Sequence, residues 1–445
     1  MPTESALLQR SRLVGAANRL LPVLAKAGLR FPCALDADPL LDYVRRRAGM
    51  RDFGDEWFLG PLRTLVQALN EEAALNPLGR FAAIGQLLKL LRERLWTQYW
   101  LREYPEIAER PLSPPVIVVG PMRSGTTRLH RLLAADRRFA HLRLFETICP
   151  VPPPDFRRRG PDKRPRRAAR ILGAVHRFNP HTAVIHPTAP FAPEEELGLL
   201  VASVWGMKHE AQWHVPSYGR WSEGQDATPA YRHMALLLRL VGWARGGEAT
   251  RPWVLKTPQH MLDLPALLAV FPEARLIFIH RDPAAVVGSS CSLVWNQMII
   301  HSDSVDARRI GREWLRKTEL QIERMRAARK AIPASRRIDV RYADMDRNWP
   351  AVMARIYRFL DREIAPALPA MARYMAGAER HRRRHPHCYS LAAFGLEAPA
   401  VRERFRSYAE TFGLAPDRAG QEATLSAAIP LHPRAAATHP AWVRP

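Results

Sequence analysis

Between Phe81 and Leu101 the apolar residues Phe81, Ile84, Leu87, Leu88, Leu91 and Leu95 recur at helical spacing, with Lys89, Arg92, Glu93 and Arg94 between them. Similar periodicity predicts helix throughout residues 1–112, a cap in which no chemistry is evident. Pro105, Pro111, Pro114 and Pro115 then punctuate the chain. From Val116 the period changes. Val116–Val119 reads as a buried strand and Thr126–Ala135 as a helix with Leu129, Leu132 and Leu133 on one face. Trp253–Leu255, Arg275–His280 and Ile338–Tyr342 read as further strands. Helices are expected over Leu264–Phe271 and around Val352, Ile356 and Phe359/Leu360. Strands alternating with helices predict an α/β fold, a parallel sheet flanked by helices behind an N-terminal helical cap. Ligands of such sheets bind at the carboxyl ends of the strands.

The expected organisation is therefore a cap over 1–112, an α/β domain over 113–412 with an insertion over 150–250, and a tail over 413–445. The insertion carries a basic run from Arg157 to Arg170, read as a solvated face or as a docking surface for an anionic acceptor. Its aromatics Trp205, Trp213, Tyr218 and Trp221 are expected in the core, with a pocket for an apolar acceptor as the alternative. A second basic stretch lies at 380–384.

Composition narrows the class. The 445 residues are 47% hydrophobic and 25% charged, which is globular rather than disordered. No apolar run approaches a membrane span and no signal-peptide core is present. Cys33, Cys149, Cys291 and Cys388 are widely separated, the usage expected of a reduced, cytoplasmic protein. The net charge of +24 lacks any accompanying nucleic-acid motif, so anionic ligands are the expected partners and nucleic acid is not.

Three stretches carry candidate chemistry, each after a strand. Gly120-Pro-Met-Arg-Ser-Gly-Thr-Thr127 has P-loop spacing, but Thr126 stands where a triphosphatase has lysine. Its amides, the Thr126 and Thr127 hydroxyls and Arg123 suit a single tetrahedral anion. Leu255-Lys256-Thr257-Pro258 places a lysine at a strand end, where it can replace the missing one. His280-Arg281-Asp282-Pro283, followed by Ser289, offers a guanidinium and a hydroxyl to a second phosphate.

In this order and spacing, Arg-Ser-Gly-Thr-Thr, Lys-x-Pro and Arg-x-x-Pro with its later serine resemble the sulfotransferases that use 3′-phosphoadenosine 5′-phosphosulfate (PAPS). Arg341-Tyr342-Ala-Asp-Met looks like a fourth element, and the resemblance spans roughly 112–412. The arginine-bearing loop is similar to a bacterial group and to tyrosylprotein sulfotransferases. The resemblance implies that Arg123, Ser124, Gly125, Thr126 and Thr127 hold the 5′-phosphosulfate, that Arg281 and Ser289 hold the 3′-phosphate, and that Tyr342 lies against the adenine. Lys256 would stabilise the sulfuryl group in transit, without a metal. The base is a histidine after a later strand in cytosolic sulfotransferases and a glutamate after the loop-bearing helix in the tyrosylprotein type. Glu146 occupies the latter place and is the first candidate, with His130 second. Glu194, Glu195 and Glu196 are third, read as the solvated first turn of a helix. The implied acceptor is a small-molecule, lipid or glycan hydroxyl; oligomeric state is open. The competing readings are a P-loop kinase or ATPase, disfavoured by Thr126 and the basic strand end, and an inactive nucleotide-binding protein.

Overall fold

The structure is a computed structural model that describes residues 9–27, 33–246, 250–384 and 389–417. Cys388 and most of the 413–445 tail lie outside the described residues.

Among the described residues six strands form: β1 (Val116–Val119), β2 (Leu142–Arg143), β3 (Pro193–Glu194), β4 (Val254–Lys256), β5 (Arg275–His280) and β6 (Arg337–Arg341). Four of them make one parallel sheet in the order β4-β1-β5-β6. β1 is central because its four β-branched residues can be buried on both faces, and all four are. Ile117, Val119, Leu255, Leu276 and Phe278 face one helical layer, which includes Thr228–Ala244, Pro283–His301 and Ala307–Arg329. Val116, Val118, Val254, Ile277, Ile279 and Val340 face the other, built from Thr126–Ala134 and Tyr342–Phe359. This alternation is the pleat of the strands expressed as two cores.

Register then aligns the chemistry. Val118 pairs with Lys256 and Val119 with Phe278, while His280 pairs with Arg341. The loop after β1, Lys256 at the end of β4 and Arg281 after β5 therefore emerge together at one edge. Placing Lys256 inside β4 extends that strand one residue beyond the sequence expectation.

Before β1 the chain forms helices at Arg12–Lys26, Ala37–Ala48, Leu59–Glu71, Pro77–Glu103 and Glu106–Glu109. Leu62, Leu87, Leu91 and Leu95 pack with Trp213, Val215 and Tyr218, so the N-terminal helices share a core with the 150–250 insertion. Trp205, Trp213 and Tyr218 are fully buried, as their aromatic character suggested. The long helix departs from its periodicity in two ways. Phe81 is 52% exposed, whereas Glu93 and Arg94 are buried. Neighbours on several sides enclose its polar positions too. Arg94 is satisfied by the carbonyls of Phe53, Asp55 and Ala202, and burial lowers its pKa to about 10.

Candidate active site

The loop between β1 and the helix Thr126–Ala134 is shaped by two left-handed residues, Arg123 at φ 70° and Gly125 at φ 94°. That turn directs successive amides toward the helix N-terminus, the arrangement that binds anions. Glycine is required at 125 on two counts: a Cβ there would lie 2.4 Å from the Tyr342 ring, in a backbone conformation that L-residues resist. Ser124 is buried, its hydroxyl donating to the Pro121 carbonyl at 2.7 Å.

Arg123, Gly125, Thr126, Thr127, Lys256, Arg281 and Tyr342 line one cavity of about 600 Å³. Lys256 Nζ donates to Thr127 Oγ1 at 3.1 Å and to Glu195 Oε2 at 2.8 Å. The strand-end lysine thus reaches the loop that lacks its own.

Three consecutive glutamates have three different surroundings. β2 and β3 form a two-residue antiparallel ladder that brings Glu194–Glu196 beside the end of β4. In the extended segment alternate side chains point to opposite sides. Glu194 turns into protein, meeting His186 at 3.0 Å and Thr188. Glu196 does likewise, accepting from the Lys256 amide at 2.8 Å and from His260 at 2.6 Å. Burial alone would raise both carboxyl pKa values. His186, Arg131 and Lys256 hold Glu194 low instead, and the bonds from His260 and Lys256 do the same for Glu196. Glu195 alone among the three lines the cavity, and its Oε1 has no partner among the described residues. The expected solvation is therefore wrong: Glu194, which ends β3, and Glu196, which stands at the start of the short helix Leu197–Leu200, are 7% and 0% exposed.

Glu146 requires a correction as well. It is fully buried, it does not line the cavity, and it accepts from the Arg143 amide and guanidinium and from both Nε and Nη2 of Arg245. Burial would raise its pKa, but Arg245 and Arg143 bring it to about 2. A carboxylate whose lone pairs are taken by two arginines is a brace for the β2 region, not a proton acceptor for a ligand. His130 is also buried away from the cavity lining, and its Nε2 has no hydrogen-bond partner among the described residues. Burial, then the Lys256 charge, lower its pKa to about 3, so it stays neutral.

The Arg281 end is a connected network. Arg123 Nε donates to Ser289 Oγ at 2.9 Å, and Arg281 Nη1 donates to the Arg123 carbonyl at 2.7 Å. The Arg281 guanidinium lies 4.0 Å over the Tyr342 ring, whose centroid also has Arg128 at 4.7 Å. Ser289 stands behind Arg123 rather than on the cavity surface. Arg281 Nε holds the Asp417 carboxylate at 2.6 Å, so that guanidinium already takes an oxyanion. Amides at a helix N-terminus, strand-end cations, an oxyanion seat and an aromatic face together can hold a ligand that carries separate anionic groups and a flat ring. Trp349, Met375 and Arg382 continue this wall; Arg382 belongs to the 380–384 stretch, whose wording gave no guide to its position.

The opposite end of the cavity is largely apolar, with Leu197, Met207, Ala211, Leu293 and Trp314. One half-buried cation, unforeseen from the sequence, lines it. Lys208 Nζ donates to Gln86 Oε1 at 2.7 Å and Gln212 Oε1 at 3.0 Å, with no carboxylate partner among the described residues. Gln212 Nε2 is 3.1 Å from His301 Nε2, and His301 Nδ1 is 2.9 Å from the Gln297 carbonyl, which fixes the relay. Burial, with the Lys89 charge, lowers the Lys208 pKa to about 8. Gln86 sits on the N-terminal helix Pro77–Glu103, so the region expected to hold no chemistry orients a cavity cation.

A parallel sheet that gathers the loop after β1, a strand-end lysine and a strand-end arginine on one cavity defines a P-loop-like α/β fold. Residues 114–366, more than half of the chain, match the sulfotransferase family, and the chain belongs to it. It is 24% identical over 348 residues to omega-hydroxy-beta-dihydromenaquinone-9 sulfotransferase Stf3 of Mycobacterium bovis and of Mycobacterium tuberculosis, covering 71% of this chain and 80% of those. Among solved structures it is similar to sulfotransferase STF1 from Mycobacterium tuberculosis, at 31% identity and TM-score 0.71 over 83% of this chain and 98% of that one. Sulfotransferase STF9 from Mycobacterium avium superposes with TM-score 0.74 at 26% identity, over 86% and 98%. The protein is thus a sulfotransferase. Among the described residues no helix is long and apolar enough to cross a membrane.

Proposed function

We propose that the protein transfers the sulfuryl group of PAPS to a hydroxyl on an apolar, lipid-like acceptor. The observation that carries this reading is Lys256, whose ammonium joins the Thr127 hydroxyl to the Glu195 carboxylate in one cavity. Arg123 with the amides of Ser124–Thr127 would hold the 5′-phosphosulfate. Arg281, braced through Arg123 to Ser289, would hold the 3′-phosphate, and Tyr342 would lie against the adenine. PAPS supplies an activated sulfuryl group on an anhydride to phosphate.

Glu195 takes the place first expected for Glu146. Its partnerless Oε1 accepts the hydroxyl proton as the new O–S bond forms and the S–O bond to the phosphate breaks. Lys256, Thr127 and the helix N-terminus meet the charge that passes to the leaving oxygen, and adenosine 3′,5′-bisphosphate departs. The apolar wall of Leu197, Met207, Leu293 and Trp314 suits the body of such an acceptor, and the mycobacterial relative's hydroxylated dihydromenaquinone belongs to the same chemical class. The test is label transfer from radiolabelled PAPS to hydroxylated isoprenoid lipids, tyrosine peptides and glycans in parallel. Transfer restricted to peptides or glycans overturns the acceptor class. Absence of adenosine 3′,5′-bisphosphate binding, or tighter binding of ATP, overturns the donor.

A further inference from the structure

Among the described residues seven large apolar side chains are left in solvent; Phe81, Tyr104 and Phe191 stand singly, and the other four lie on two helices. Leu13, Leu20 and Val23 are 37%, 55% and 60% exposed on the helix Arg12–Lys26, and Val175 is 39% exposed on Arg164–Phe178. These two helices touch each other. Isolated exposed leucines need no explanation, but several on two adjoining helices do.

The same two helices carry exposed charge. Arg12, Arg19 and Lys26 recur every seven residues beside the Leu13–Leu20 stripe, and all three are exposed. On the second helix Arg166, Arg170 and Arg177 are exposed on one side, about 140–180° round the helix from Val175. None of these six has a carboxylate partner among the described residues, whereas Arg10 pairs with Asp303 and Arg164 with Asp162. The basic run of 157–170 is thus divided: Arg164 is buried structure, and the remainder of its helix presents unpaired charge.

The position of these helices matters. Val14 and Phe178 both pack against Ile299 and Ile300, at the end of the helix Pro283–His301. One turn earlier on that helix, Gln297 lines the apolar end of the cavity. The basic, apolar-studded surface therefore flanks the acceptor end and not the nucleotide end.

We infer that the helices Arg12–Lys26 and Arg164–Phe178 form a docking surface for an anionic phospholipid bilayer. Leu13, Leu20 and Val23 of the first helix enter the acyl boundary while the arginines of both helices and Lys26 meet the headgroup phosphates. Charge complementarity selects this occupant, since a second copy of the chain would bring six like charges into contact. The inference rests on the surface alone and holds whatever the acceptor is.

The test is co-sedimentation of the full chain with vesicles mixing phosphatidylglycerol with phosphatidylcholine, against vesicles of phosphatidylcholine alone. Binding is expected only to the anionic vesicles, weakening as salt rises. It should fall about tenfold or more in the double variant Leu20→Asp/Val23→Asp and independently in Arg166→Glu/Arg170→Glu. Adenosine 3′,5′-bisphosphate binding and the thermal midpoint report that each variant is folded. Failure to bind anionic vesicles overturns the inference, and so does binding that neither double variant weakens. A concentration-dependent dimer abolished by Leu20→Asp/Val23→Asp, without vesicle binding, would assign the surface to a second copy instead.

Discussion

Exchanging Glu195 and Glu146 for glutamine, one at a time, separates the proposed proton acceptor from the carboxylate first expected in that role. Glutamine at 195 can still accept from Lys256 Nζ through its amide oxygen, so the 2.8 Å contact and the cavity shape are preserved while the basic lone pair is lost. General-base catalysis contributes about 10²–10⁴-fold, or roughly 3–5 kcal/mol of barrier. The turnover number of Glu195→Gln should fall by that factor, with adenosine 3′,5′-bisphosphate affinity unchanged. Glu146→Gln should behave in the opposite way. The Glu146 pKa stands at about 2 against a usual value of 4.5. A difference of that size corresponds to about 3 kcal/mol of stability in the carboxylate form. A depressed carboxyl pKa stabilises the fold fully above the unfolded value and loses that contribution as pH falls through the folded one. Glu146→Gln should therefore lower the unfolding midpoint clearly at pH 7 and less at pH 3, while folded protein keeps its turnover. Steady-state kinetics, calorimetry and thermal unfolding read the three quantities. Near-normal turnover in Glu195→Gln, together with lost turnover in folded, bisphosphate-binding Glu146→Gln, would refute the assignment.

Gly125→Ala places a methyl group 2.4 Å from the Tyr342 ring at φ 94°, and should weaken adenosine 3′,5′-bisphosphate binding about tenfold or more in calorimetry with the fold retained. Arg281→Ala should cost about 2–3 kcal/mol of bisphosphate affinity. Asp417→Ala, which frees the same guanidinium from its carboxylate, should instead tighten binding, and an unchanged affinity would show that Asp417 does not compete. Lys208→Met should raise the acceptor KM with kcat largely kept. Since the Lys208 pKa is lowered to about 8, the wild-type KM should rise between pH 7 and 9 as the ammonium is lost, and the Lys208→Met profile should be flat over that range.

The elements legible in the sequence are those whose chemistry is contiguous with a strand. Four β-branched residues before Gly120 specify a central strand, and a glycine-bounded turn before Thr126 specifies an anion loop, because burial on both faces and helix N-terminal amides are local consequences of residue type. Lys256, Arg281 and Tyr342 were legible for the same reason, each lying at a strand end that the parallel register brings to one edge. The distinction among carboxylates was not local. Glu194, Glu195 and Glu196 are chemically alike, and only the two-residue ladder with Leu142 and Arg143 decides which one faces the cavity. Glu146 was disqualified by Arg245, far along the chain, and His130 by its own burial, with the Lys256 charge on another strand adding to it. Lys208 carries no local mark at all, since its partners Gln86 and Gln212 come from the N-terminal helices and the insertion. Residue type and period thus determined the sheet and the loop. Proton affinity depends on desolvation and on charges brought close by folding, so the choice of the group that accepts a proton was left to the tertiary structure.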